Sequence, residues 1–244
     1  MITGKYKEFH DKLNTIIPKE RLLHDALSTL AFGTDASFYR LIPKLVVRAQ
    51  SADEIKFIMR TAYEMGIAVT YRAAGTSLSG QGISDSVLVI ATHGFKDYKI
   101  LDNGMKIELQ PGIRGGAANR YLVKYGRKIG PDPASIDSAM IGGIAANNAS
   151  GMCCGTSENS YKTIADIKLI HIFLGLLHKG GGNTDRSGSV LHAIVTNSLD
   201  FRPGCGLRQQ RVVTLGKDLR NIHSNLFLSG RDTLPYYTRP CLTI

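Results

Sequence analysis

The chain has 244 residues and only four cysteines, and no two of them form a C-x-x-C pair. Structural zinc sites and thioredoxin-like redox sites depend on such spacings, so both are disfavoured. Adjacent Cys153 and Cys154 would close only a strained bridge, and reduced thiols are expected. No apolar run approaches the roughly twenty residues that a transmembrane helix needs. The most apolar window, residues 170–177, is far shorter. The N-terminal Met1-Ile-Thr-Gly-Lys-Tyr-Lys-Glu8 is polar and charged, so no signal peptide is expected. The expected setting is the cytoplasm, peripheral at the membrane. The net charge of +10 suits an anionic partner. However, no run of five Lys or Arg occurs and no nucleic-acid-binding motif accompanies the charge, so no nucleic acid is expected. Two phosphate-binding signatures, G-x-x-x-x-G-K-[ST] and G-x-G-x-x-G, are also missing.

What is present is enough for a core. Apolar residues make up 43% and charged residues 20%, with 26 glycines, which excludes a coiled coil or a disordered chain. One or two domains are expected. Tyr6, Phe9, Leu13, Ile16 and Ile17 recur at helical spacing, and Pro18 suits the first turn of a second helix over residues 19–30. Residues 45–47 read as a buried strand. Ser51-Ala-Asp-Glu54 has the form of a capping box, opening a helix that Gly66 ends. Strands follow at 67–72 and 87–90. Asp102-Asn-Gly104 between the extended runs 98–101 and 106–110 predicts a hairpin. Residues 116–126 read as helix, 138–151 as too small and polar for an ordinary core element, and 164–170 as strand-like. Strand–helix–strand units mixed with hairpins predict an α+β fold.

Two segments carry the chemistry. Tyr71-Arg-Ala-Ala-Gly-Thr-Ser-Leu-Ser-Gly-Gln-Gly82 is rich in glycine and hydroxyls and follows an apolar run. Gly75, Gly80 and Gly82 permit close backbone approach, Thr76, Ser77 and Ser79 can donate, and successive N–H groups of such a turn can form an anion-binding nest. By itself the loop reads more readily as a plain surface connection. Gly130-Pro-Asp-Pro-Ala-Ser135 and Ile141-Gly-Gly-Ile-Ala-Ala-Asn-Asn-Ala-Ser-Gly151 have the same character: two prolines fix a turn around Asp132, and Asn147, Asn148 and Ser150 offer donors and acceptors. Together the two segments suggest one extended ligand bearing phosphates.

In combination, Arg72 to Gln81, Pro131-Asp-Pro-Ala-Ser135 and Ile141 to Gly151 resemble the FAD-binding domain of the FAD-linked oxidases, the vanillyl-alcohol-oxidase-like (PCMH-type) superfamily, in its D-lactate dehydrogenase and glycolate oxidase branch. Pro43-Lys-Leu-Val-Val47 and Gly151-Met-Cys-Cys-Gly155 are similar to the same branch, and the likeness spans roughly residues 20–170. The resemblance implies a two-subdomain, truncated FAD-binding domain: an N-terminal helical segment over 1–42, an incomplete FAD-binding domain over 43–170 and an unmatched tail over 171–244. It implies that Ala74, Gly75, Thr76, Ser77, Leu78 and Ser79 wrap the FAD pyrophosphate, with Gly80 and Gln81 beside it. Pro133 and Ser135 would approach the flavin, Gly142, Gly143, Asn147, Ser150 and Gly151 would line the cofactor, and Gly155 and Ile164 would sit near the adenosine. Thr76 and Ser77 stand where some relatives carry a His that bonds FAD, so non-covalent FAD is expected. The activity implied is oxidation of a D-2-hydroxyacid, D-lactate foremost, with electrons passing to a quinone, a cytochrome or an iron–sulfur protein.

The chain also departs from that pattern. The Gly-Ser-Glu-Gly-type segment that completes the flavin site does not occur, and no substrate-binding cap follows. His171, His178, His192 and His223 lie beyond the match, and no catalytic base is assigned among them. No Glu occurs after Glu158, and residues 171–244 carry nine Lys and Arg against four Asp. This break coincides with the end of the likeness and predicts that 171–244 is a frame-shifted or otherwise aberrant end; a divergent domain is the alternative. Two other functions compete: an NADPH-using reductase on a related fold, and a non-catalytic remnant.

Overall fold

The computed structural model describes residues 2–165, 167, 170 and 234–240. Two four-stranded sheets organise them. In the first, strands β1 (Leu22–Leu23), β2 (Leu45–Arg48), β3 (Val69–Arg72) and β4 (Val87–Ile90) lie in the order β1-β2-β4-β3. β2, β3 and β4 are parallel and β1 is antiparallel to β2. β2 and β4 read as unbroken apolar runs because both faces of this sheet are covered. On one face Leu45, Val47, Val87 and Val89 pack with Phe9 and Leu13 of helix α1 (Gly4–Leu13) and with Ile55 and Ile58 of α3 (Ala52–Glu64). On the other, Val46, Leu88 and Ile90 pack with Leu23 and Phe32.

Local chemistry sets the element ends. The Ser51 side chain accepts from the Glu54 N–H at 3.2 Å, as the capping-box pattern predicts. The Glu54 carboxylate does not complete the box on Ser51. It accepts from the Gln50 N–H and makes a two-pronged pair with Arg21 at 2.8 Å, tying the N-terminal segment to α3. The helix read over 19–30 is corrected: a 3-10 turn at Lys19–Arg21 leads into β1, and α2 (Ala26–Ala31) starts only after Asp25, whose side chain caps Ser28 N–H. Leu22 and Leu23 gain a strand partner in β2, which outweighs their helical preference.

The second sheet is antiparallel, in the order β5-β6-β8-β7, formed by β5 (Tyr98–Leu101), β6 (Lys106–Leu109), β7 (Arg127–Ile129) and β8 (Leu234–Pro240). The predicted hairpin joins β5 to β6, with Asp102 and Asn103 both left-handed at φ 49° and 51°. Helix α4 (Gly115–Leu122) ends in a 3-10 turn and then Gly126. Two expectations are corrected here. Residues 138–151 do hold a core element: α5 (Ile141–Ala146) sends Ile141, Ile144 and Ala145 into a cluster with Ile107, Leu109, Leu122 and Ile164. The apolar residues stand three and four apart, so the small residues between them do not prevent a buried stripe. The second correction concerns residues 234–240, where Pro235 and Pro240 predict a break in any regular element. They form a strand whose two prolines are its second and last residues, where a missing N–H removes least from the ladder. The rest of 171–244, with its four histidines, lies outside the described residues. A short α6 (Ser160–Thr163) follows α5, and no described helix is long and apolar enough to cross a membrane.

Candidate FAD site

The loop over residues 73–82 leaves the carboxyl end of β3, the side on which open α/β sheets bind their ligands. Gly75 and Gly80 both take φ of +70°, a left-handed turn that other residues rarely adopt. A side chain at Gly80 would also come within 2.8 Å of the Tyr39 ring. Among the described residues, the N–H groups of Ala74, Gly75, Thr76 and Ser77 reach no acceptor. Ser77 donates to Gln81 Oε1 at 2.7 Å and accepts from the Ser79 N–H. Leu78 is exposed.

The loop's base is pinned. Arg72 Nη1 donates to the carbonyls of Phe32, Thr34 and Gly82 at 3.1, 2.8 and 3.3 Å. Asp35 accepts from the N–H groups of Ser37 and Gly82, and Ala36 N–H donates to the Gly75 carbonyl at 2.9 Å. Burial lowers the Arg72 pKa and the nearby Asp35 charge opposes that shift. Neither Asp35 nor Arg72 stood among the site residues read from the sequence. The signal available was Asp35-Ala-Ser37, an acidic side chain two residues before an N–H that it can accept.

The second segment is built differently. Pro133 and Ser135 accept from Ile136, Ser138 and Ala139 N–H groups, closing a tight turn. Asp132 Oδ1 accepts from the Cys154 N–H at 3.0 Å, and a side chain on Gly151 would collide with the Asp132 carbonyl. A Cβ on Gly142 would stand 2.9 Å from that of Pro111, whereas around Gly143 nothing lies within 4 Å. Asn147 N–H is engaged with the Gly143 carbonyl, and Ser150 is exposed. Gly155 takes φ of +51° and is exposed; Cys154 is buried, and burial pushes its thiol pKa up. Ile164 is 4% exposed with its side chain in the second core, so a ligand could meet it only at the backbone.

A chain of hydrogen bonds connects the two segments. Ala91 N–H donates to the Arg72 carbonyl at 3.1 Å, Gly112 N–H to Phe95 at 2.9 Å and Gly142 N–H to Pro111 at 2.9 Å. The start of α5 is thereby tied to the turn that follows the carboxyl end of β4.

A parallel sheet with a ligand-ready loop, joined to an antiparallel sheet, defines an α+β cofactor domain. The fold is that of the PCMH-type FAD-binding domains. The solved structure of alkyldihydroxyacetonephosphate synthase has a TM-score of 0.67 at 16% identity, over 97% of this chain and 41% of that one. p-Cresol methylhydroxylase has a TM-score of 0.66 at 12% identity, over 99% and 45%. The chain belongs to the FAD binding domain family, whose model matches residues 43–173. Its cofactor is FAD. Among curated relatives, glycolate oxidase subunit GlcD of Escherichia coli K12 is 27% identical over 75% of this chain and 37% of its own length. D-2-hydroxyglutarate dehydrogenase of the same organism is 27% identical over 50% of this chain and 12% of its own. D-lactate dehydrogenase of Anaerostipes hadrus is 27% identical over 59% and 31%. The chain therefore spans little more than a third of GlcD and less of the others.

Proposed function

We propose that this chain is the cofactor-holding part of a D-2-hydroxyacid dehydrogenase, with D-lactate to pyruvate as the leading reaction. The observation that carries the cofactor-holding part of this reading is the row of N–H groups from Ala74 to Ser77, unengaged within a loop of glycine and hydroxyl residues. A pyrophosphate needs such a set of donors, and successive N–H groups of a turn supply one. Ala74, Gly75, Thr76, Ser77, Leu78 and Ser79 would hold it, with Gly80 and Gln81 alongside. Pro133 and Ser135 would bound the flavin, and Gly142, Gly143, Asn147, Ser150 and Gly151 would line the cofactor by backbone. Gly155 and Ile164 would meet the adenosine.

FAD, when bound, supplies the acceptor for a hydride from the substrate α-carbon. The chain's own contribution is to bind and orient it. Attachment is non-covalent in this reading, because Thr76 and Ser77, not histidine, follow Gly75. A quinone, a cytochrome or an iron–sulfur protein takes the electrons onward, and the setting is the cytoplasm, peripheral at the membrane. The relatives, a glycolate oxidase subunit and dehydrogenases of D-2-hydroxyglutarate and D-lactate, support the substrate class.

The test is to load the purified protein with FAD and add D-lactate, L-lactate, glycolate, D-2-hydroxyglutarate or NADPH without oxygen, following the flavin's visible absorbance. Bleaching by D-lactate ahead of the others supports the proposal. Bleaching by NADPH alone makes the protein a reductase, and a chain that takes up no FAD contradicts the cofactor-holding reading.

A further inference from the structure

We propose that Asp35 and Arg72 are positioning residues that preset the pyrophosphate loop before the cofactor arrives. The inference rests on the reading that this loop holds the FAD pyrophosphate. The two side chains lie beneath both ends of the loop. A Cβ on Gly75 would stand 3.1 Å from Arg72 Cδ and 3.4 Å from Asp35 Cβ; one on Gly82 would stand 3.1 Å from Arg72 Cδ and 3.3 Å from Asp35 Oδ2. Asp35 takes the Gly82 N–H, and its neighbour Ala36 takes the Gly75 carbonyl, so one short stretch of chain holds both ends of the loop. Arg72 closes the arrangement, binding carbonyls on each side, Phe32 and Thr34 from the earlier chain and Gly82 from the loop, while its guanidinium lies over the Phe32 ring at 5.4 Å.

The loop contributes little of its own order. Within it the side-chain bonds are Ser77 to Gln81 and Ser79 to Ser77. A loop that must be fixed on binding loses affinity to the cost of ordering it, and a loop already fixed does not. Asp35 also brings a negative charge close to an anion-binding loop. Electrostatics alone would count that against FAD, so the carboxylate's place there is geometric: it accepts two N–H groups at once.

This gives the test a sign. Asp35→Asn removes a negative charge beside the pyrophosphate, which by charge alone would tighten FAD, but it also replaces one acceptor oxygen with a donor. Arg72→Lys keeps the cation and loses the reach to three carbonyls. The 244-residue protein and both variants would be titrated with FAD by flavin fluorescence and with ADP by competition, with melting of the cofactor-free proteins followed by circular dichroism. We expect each variant to raise the Kd for FAD about tenfold or more, the Kd for ADP to rise by the same factor because ADP carries the pyrophosphate without the flavin, and the melting midpoint to fall by no more than the roughly 3–6 °C that loss of the same bonds accounts for. An unchanged or lower Kd for Asp35→Asn overturns the proposal. So does a loss for FAD that ADP does not share, or a fall in the melting midpoint well beyond that range, which would make the two residues general supports of the fold. A wild-type chain that takes up no FAD overturns the functional reading first, and is told apart because the variants then have nothing to lose.

Discussion

The 73–82 loop and the 130–151 segment have nearly the same composition, and the fold uses them in opposite ways. In the first, four successive N–H groups are unengaged, and Gly75 and Gly80 take left-handed turns with Arg72, Asp35 and Tyr39 packed against them. In the second, Ile136, Ser138, Ala139, Ile144, Asn147 and Asn148 N–H groups are all bonded within the chain, and Gly142 and Gly151 are small because Pro111 and Asp132 press against them. The first segment thus leaves its N–H donors open to a cofactor, and the second bonds most of its own within the chain. Gly143 alone in the second segment has open space around it.

The comparison can be broken most forcefully at Gly151. Gly151→Ala would drive a methyl into the Asp132 carbonyl. It should cost about 3 kcal/mol as an overpacked site, lowering the melting midpoint by roughly 6–12 °C. A midpoint within a degree or so of wild type would mean that the second segment is as open as the first. Ser160 is the next test. Its buried hydroxyl lies 2.9 Å from the Ile144 carbonyl and 3.0 Å from that of Ala149, holding the end of α5. Ser160→Ala should cost about 1–1.5 kcal/mol in a denaturant titration, no more, because each carbonyl keeps a backbone partner.

Gly143→Ala has the smallest expected effect on stability and the opposite sign. With nothing within 4 Å of the new methyl, the helix should gain about 0.5–1 kcal/mol. FAD binding should weaken if the cofactor lies against that backbone. Stability and affinity rising together would remove Gly143 from the site. Thiol chemistry sharpens the same boundary without changing stability. Iodoacetamide should label exposed Cys153 and leave Cys154, which is buried, donates its S–H to the Gly155 carbonyl at 3.3 Å and has its thiol pKa raised by burial. Peptide mapping by mass spectrometry reads the outcome, and equal labelling would place the 151–155 turn outside the packed region.

These contrasts explain what the sequence made legible. The continuous apolar runs of β2 and β4, the Ser51 cap and the Asp102–Gly104 hairpin are local signals, and each stands where it was read. The strand at Leu22–Leu23 was not legible, because its reason is a pairing with Val46 and Val47 more than twenty residues away. α5 was missed because Gly142, Gly143 and the alanines dilute a stripe that needs only Ile141, Ile144 and Ala145 to be buried. The place of β8 between β6 and β7 has no local signature at all. At the site, the loop's glycines and hydroxyls could be read directly and Asp35-Ala-Ser37 left a local trace, but the ties of Asp35 and Arg72 across the loop could not, since they appear only when residues some forty positions apart meet.

Amide hydrogen exchange, with and without FAD, tests the central claim most directly. The account predicts fast exchange at Ala74 to Ser77 in the cofactor-free protein and strong protection once FAD is bound, while Ile144 and Asn147, already bonded, are protected in both states. Exchange at Ala74 to Ser77 that FAD leaves unchanged would contradict it.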